Sequence, residues 1–124
     1  MDNTKPLVEP HQGPAPDDLI TEDLFVGEGA EATAGATAIV HYVGVGSSSG
    51  EQFDASWDRD ETFSFPLGAG HVIAGWDRGV QGMRVGGRRR LVIPAHLGYG
   101  DRGAGGVIAP GETLLFVVDL VALT

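Results

Sequence analysis

The sequence predicts an α+β fold, chiefly an antiparallel β-sheet with one short helix. Three observations lead there. The 124 residues include 20 Gly and 7 Pro, a turn-rich composition that suits hairpins and bends better than a helical bundle. Runs of β-branched and aromatic residues recur along the chain between Gly, Ser and Asp clusters, as strands separated by turns do. One stretch only, Ile73 to Gln81, sets its apolar residues near a helical period. The length accommodates one core and no second core of comparable size.

Taken in order, Met1 to Asp18 carries Pro6, Pro10, Pro14 and Pro16 among polar and acidic residues. Such a segment buries too little apolar surface to offset its ordering entropy, so residues 1–18 are expected to form a flexible Pro-rich acidic tail ahead of a single domain over residues 19–124. The first strand is Leu19 to Val26, ended by Gly27-Glu28-Gly29. The second, Thr37 to Val45, has Tyr42 at its centre and closes on Gly46-Ser47-Ser48-Ser49-Gly50. A third strand covers Gln52 to Ser56, and after the charged bend Asp58-Arg59-Asp60-Glu61 a short aromatic strand covers Phe63 to Pro66. The helix over Ile73 to Gln81 turns Ile73, Trp76 and Val80 to one face. Gly75 and Gly79 lower its propensity, so packing must hold it. Strand character returns at Arg89 to Ile93. Gly98 to Gly111 then reads as a long functional loop. Thr113 to Leu123, apolar but for Thr113 and Asp119, reads as a central strand buried on both faces.

Composition excludes several kinds of chemistry. Cysteine is absent, which rules out disulfides, thiolate nucleophiles and Cys-based zinc sites. The formal net charge of -9 opposes binding to nucleic-acid backbones and anionic membranes. Arg88, Arg89 and Arg90 are the only basic run and read as the solvated start of a strand. Mean hydropathy is +0.02, no apolar run approaches the ~20 residues of a membrane span, and Met1 to Gln12 lacks the pattern of a secretory leader. A cytoplasmic monomer is the expectation.

Some motifs have the form of a catalytic or binding signature without its setting. Gly98-Tyr99-Gly100-Asp101-Arg102-Gly103 matches G-x-G-x-x-G but opens into Ala104-Gly105-Gly106 rather than a helix that could receive a pyrophosphate. Gly46 to Gly50 matches G-x-S-x-G, yet a nucleophile elbow needs a larger α/β sheet than this chain can build. His11, His41, His71 and His96 are too far apart for paired metal ligation and read as surface or structural residues. Asp58 and Asp60 read as a solvated turn. No metal or cofactor is expected.

What remains is an aromatic set, Tyr42, Phe53, Phe63, Phe65, Trp76, Tyr99 and Phe116. Periodicity alone favours an ordinary aromatic core. Order and spacing say more. Val40-His41-Tyr42-Val43-Gly44, Phe53-Asp54-Ala55-Ser56, Val72-Ile73-Ala74-Gly75-Trp76, Val85-Gly86-Gly87-Arg88, Gly98-Tyr99-Gly100, Ile108-Ala109-Pro110 and Thr113-Leu114-Leu115-Phe116 follow one another as they do in FKBP (FK506-binding protein) domains. From about Leu19 to Thr124 the chain resembles a small single-domain FKBP-type peptidyl-prolyl cis-trans isomerase.

The resemblance implies a curled antiparallel sheet of about five strands wrapped around one short helix, with a ligand cavity between them. Trp76 would be the cavity floor. Tyr42, Phe53, Val72, Ile73, Tyr99 and Phe116 would line its walls, Asp54 its polar rim, with Phe63 nearby and Ile108 reaching in from the loop. The catalytic set implied is Tyr42, Asp54, Ile73, Trp76, Tyr99 and Phe116, the Ile73 N–H and the Tyr99 hydroxyl donating to substrate carbonyls. The implied substrates are proline-containing peptides and unfolded proteins, and the implied ligands macrolides such as FK506 or rapamycin. A non-catalytic module docking proline-containing segments of a partner is the alternative. Leu97 stands where many members have an aromatic, and Asp101 to Gly106 lacks the proline or histidine common there, departures that bear on substrate preference and macrolide affinity. Tyr99 to Ile108 is too short for the inserted chaperone domain of some bacterial relatives, so strong holdase activity is not expected.

Overall fold

The computed structural model describes residues 4–124, and Met1 to Asn3 of the expected tail lie outside the described residues. Among these, six strands and one α-helix occur: β1 Ile20–Phe25, β2 Thr37–Gly46, β3 Gln52–Ala55, β4 Phe63–Pro66, α1 Ala74–Gly79, β5 Arg88–Ile93 and β6 Leu114–Leu123. All pairings are antiparallel. Five strands form a continuous path, β1-β5-β6-β2-β3. The sixth, β4, pairs with Thr37–Val40, the first part of β2, on the edge where β3 pairs with its last part. The long β2 serves two short partners in turn, so all six strands expected along the chain join one curled sheet.

β6 is central, as its apolar run predicts: Leu114 to Leu120 are all buried. The two faces of the strand do different work. Leu114, Phe116, Val118 and Leu120 join Val40, Tyr42, Leu91, Ile93, Trp76 and Val80 in the main core, whereas Leu115 meets Val45 and Val92 in a small cluster apart from it. Side chains alternate along a strand, so a slip of one residue would exchange these sets. Pairing of Gly44 and Leu91 with Phe116, and of Tyr42 with Val118, fixes the register that brings aromatic rings to the inner face.

Helix α1 is shorter than the expected span of residues 73–81, and its glycines have a steric reason. A Cβ at Gly75 would stand 2.5 Å from Ile93 Cγ2, and one at Gly79 2.9 Å from Leu91 Cδ2. Glycine at both positions lets the helix lie against β5. That close approach supplies the packing that the low propensity requires.

The arginine run begins a strand, but it is not solvated. The Arg88 and Arg89 side chains are 15% and 12% exposed. Arg88 Nε donates to Asp119 at 2.6 Å, and Arg89 Nε donates to Asp23 at 2.7 Å. Arg89 Nη1 also donates to the Gly79 carbonyl at 2.9 Å, where a cation complements the helix C-terminus. Arg90 Nη2 donates to the Glu9 carbonyl at 2.8 Å. The segment before β1 is thus laid along the sheet: Val8 packs on the cluster of Val45, Val92 and Leu115, and Lys5 Nζ donates to Asp58 at 2.8 Å.

Candidate functional site

A cleft of about 540 Å³ opens between the sheet and α1, lined by Tyr42, Phe53, Asp54, Phe63, Gly70, His71, Val72, Ile73, Trp76, Tyr99 and Phe116. Its volume is in the range of small-molecule sites. β2 contributes Tyr42, β3 Phe53 and Asp54, β4 Phe63, and β6 Phe116. The turn before α1 contributes Gly70 to Ile73, α1 itself Trp76, and the loop after β5 Tyr99.

Trp76 is the hub. Its ring lies 4.9 Å from Tyr42 at 77°, 5.3 Å from Phe116 at 83° and 6.0 Å from Phe63 at 70°. Phe53 meets Phe116 edge-on at 5.5 Å. These edge-to-face contacts suit the ring quadrupoles and brace the walls against one another. Phe65 also touches Trp76, but it is 2% exposed and belongs to the core alone. Phe63 and Tyr99, at 37% and 41%, stand open to solvent at the mouth.

The rim carries a polar network. The Tyr42 hydroxyl donates to Asp54 Oδ2 at 2.5 Å. Arg59 Nη1 donates to Asp54 Oδ1 at 2.5 Å, and Arg59 Nη2 to the Tyr42 oxygen at 2.9 Å. Burial, then the Asp54 hydrogen bond, pushes the Tyr42 phenol up from 10.0, so it remains a donor at neutral pH. Burial opposes ionisation of Asp54, and the hydrogen bonds from Tyr42 and Arg59 outweigh it, leaving its carboxyl below 3.8. The bond to Asp54, followed by that to Tyr42, raises Arg59 further. Asp54 is accordingly a paired carboxylate with little proton affinity, unsuited to general-base work near neutrality. Behind it, buried Ser56 accepts the Tyr42 backbone N–H at 2.7 Å, and His41 stacks on Trp57 at 4.1 Å with its Nδ1 2.8 Å from Ser56 Oγ.

The wall of the cleft is tied to its floor by Asp77. Its two carboxylate oxygens accept the Gly68 and Gly70 N–H groups, each at 2.9 Å. Because Asp77 follows Trp76 on α1 while Gly70 leads into Val72 and Ile73, one side chain sets the distance between floor and wall. The Ile73 carbonyl accepts Trp76 N at 2.9 Å and Asp77 N at 3.2 Å. Its own N–H has no partner among the described residues.

Of the site residues expected from sequence, all but one line this cleft. The exception is Ile108, which is 6% exposed, packs in the main core and borders a different cavity on the far side of Phe53. Its loop turns back on itself through Ala104 N and Ile108 O at 2.9 Å. Sequence reasoning missed Gly70, His71 and Arg59. The first two directly precede Val72-Ile73. Arg59 could have been sought as the countercharge that a carboxylate at an aromatic rim requires.

Comparison with known proteins agrees with this geometry. A family model described as FKBP-type peptidyl-prolyl cis-trans isomerase matches residues 28–121. The FK506-binding protein of Streptomyces anulatus is 62% identical over 124 residues, covering 99% of this chain and 100% of its own length. The probable FK506-binding protein of Corynebacterium glutamicum is 52% identical over 118 residues, covering 95% and 98%. The crystal structure of AtFKBP13 superposes with a TM-score of 0.79 at 40% identity, covering 89% of this chain and 96% of that one. On this agreement of sequence and fold, the chain belongs to the family of FKBP-type peptidyl-prolyl cis-trans isomerases and is an enzyme of that type.

Proposed function

We propose that the cleft receives a prolyl residue above the Trp76 ring and accelerates rotation of the preceding amide in peptides and in proteins that are folding. The observation carrying this reading is the ring-lined hollow itself, with a floor residue only 5% exposed and its one carboxylate, Asp54, already paired at the rim. The rotation barrier of ~18–20 kcal/mol arises from amide resonance, which twisting removes. A planar amide separates more charge than a twisted one, so transfer from water to this aromatic hollow penalises the ground state more than the transition state. A 10⁵-fold acceleration corresponds to about 7 kcal/mol.

Two donors complete the proposal. The Ile73 N–H and the Tyr99 hydroxyl, neither with a partner among the described residues, hold the carbonyls flanking the rotating bond. Tyr42, Asp54 and Arg59 keep the rim rigid and correctly polarised, and no proton changes hands. The same hollow would accept a macrolide such as FK506 or rapamycin, a reading supported by the names of the relatives.

Exchange NMR on a short proline peptide, together with refolding of a protein limited by proline isomerisation, tests the proposal. Acceleration by the wild type is expected, with Tyr99→Phe about two- to tenfold slower for loss of one hydrogen bond. Trp76→Leu should lose most of the activity while remaining folded by circular dichroism. Rates equal to buffer would remove the catalytic reading, and a fully active Trp76→Leu would remove the role given to the floor.

A further inference from the structure

A second cavity, of about 230 Å³, lies against the cleft with Phe53 as a shared wall. It sits between the β2–β3 hairpin and the loop after β5, and its lining includes Glu51, Gln52, Phe53, Val107, Ile108 and Glu112. The volume is below that of drug-sized sites and suits one side chain. We propose that it is an accessory substrate subsite that takes a Lys or Arg side chain flanking the isomerised proline.

The chemistry is divided as such a side chain is divided. Phe53, Val107 and Ile108 offer apolar surface to an aliphatic stem, and Glu51 and Glu112 offer carboxylates to its charged head. Glu112 is held in place: Oε2 accepts the Ser48 N–H at 2.9 Å and Oε1 accepts the Ser48 hydroxyl at 2.7 Å. Each oxygen retains a lone pair for a further donor. The Glu51 carboxylate has no partner among the described residues, and the Gln52 amide donates outward to Asp58 at 2.7 Å. No lining residue is basic, and among the described residues neither carboxylate is ion-paired. A proline seated in the cleft places its flanking residues, each ~3.3 Å further along an extended chain, at openings of which this cavity is one. The surplus of acidic residues over basic ones, with a formal net charge of -9, also attracts cationic peptide.

This inference rests on the isomerase reading and adds a substrate preference to it. The experiment measures kcat/KM by exchange NMR for heptapeptides with a central proline, in which Lys, norleucine or Glu is placed in turn at each of the six other positions. At one position or more, Lys should exceed norleucine about three- to fivefold, the scale of a partly exposed ion pair, with Glu below norleucine and the difference expressed chiefly in KM. The Lys-to-norleucine ratio should approach one in 0.5 M NaCl and in Glu51→Gln/Glu112→Gln. Glu51→Lys, which leaves the Glu112 contacts with Ser48 untouched, should reverse it. Acceleration of norleucine peptides with a ratio of one at every position would overturn the subsite and leave the isomerase reading standing, as would a Lys preference unaltered by Glu51→Lys. Failure to accelerate any peptide would overturn both.

Discussion

Gly44 offers a direct test of how the cleft wall is built. It lies in β2 opposite Phe116, and a Cβ there would stand 2.5 Å from Phe116 Cε1, 2.7 Å from Phe53 Cζ and 2.9 Å from Phe116 Cδ1. Ordinary contact begins at 3.4 Å, so Gly44→Ala must move both rings by up to the difference between 2.5 and 3.4 Å. Phe116 cannot retreat inward: it is 3% exposed on the central strand, with Trp76 at 5.3 Å. The remaining free space is the cleft. Overpacking of this kind costs typically 1–3 kcal/mol. A loss of about 2 kcal/mol lowers Tm by about 8 °C for a chain of this length, and narrowing of the hollow should lower kcat/KM about tenfold, or ~1.4 kcal/mol. Thermal unfolding followed by circular dichroism gives the first quantity, and exchange NMR on a proline peptide the second. Adding Phe53→Leu, which removes one of the clashing atoms, should restore part of both, with a coupling of about 1 kcal/mol in the double-mutant cycle. An alanine variant with wild-type Tm and kcat/KM would refute the claim that Phe53 and Phe116 form an interlocked wall.

Three other outcomes follow from the same contacts. The depressed carboxyl of Asp54 contributes stability that is present above 3.8 and drains away as pH falls through its lower folded value; urea unfolding from pH 2 to 6 should show a shallower acid loss in Asp54→Asn. Asp77→Asn leaves one of the Gly68 and Gly70 N–H groups without its acceptor, which should cost about 1 kcal/mol and raise KM more than it lowers kcat, since Val72 and Ile73 lose their spacing from Trp76; an unchanged KM would contradict the positioning role of Asp77. Val8→Ala should lower stability by about 0.5–1 kcal/mol without altering kcat/KM, because Val8 packs on Val45, Val92 and Leu115, outside the main core.

The strands were legible because their pattern is local. Thr37 to Val45 and Thr113 to Leu123 carry enough β-branched and apolar residues to announce two long strands, the second of them central, and the Gly and Ser cluster at 46–50 marks where the first stops. The helix was legible in position but not in cause: Gly75 and Gly79 read from sequence as weakness, whereas in space each is the condition for contact with Ile93 or Leu91. Arg88 to Arg90 show the same limitation. A basic run at a strand start is ordinarily solvated, and the partners that draw these side chains down, Asp119, Asp23 and the Glu9 carbonyl, are 31, 66 and 81 residues away in the chain.

The cleft follows the same division between local and distant information. Tyr42, Phe53, Trp76 and Phe116 were found through the order of recognisable segments, and the register of β6 with β2 accounts for why Tyr42 and Phe116 converge. Ile108 belonged to one of those segments too, and yet it faces a different cavity. Segment order establishes which residues come near the site; it does not establish which of the two hollows beside Phe53 a loop residue such as Ile108 borders. Sequence carries no comparable signal for that choice, because glycines at 103, 105 and 106 permit the loop conformations that either side would need, and all three adopt positive φ here. The consequence is physical: since Phe53 lines two hollows rather than one, the proposed reading has a peptide lying across its edge, with its proline against the rings and a neighbouring residue against the carboxylates.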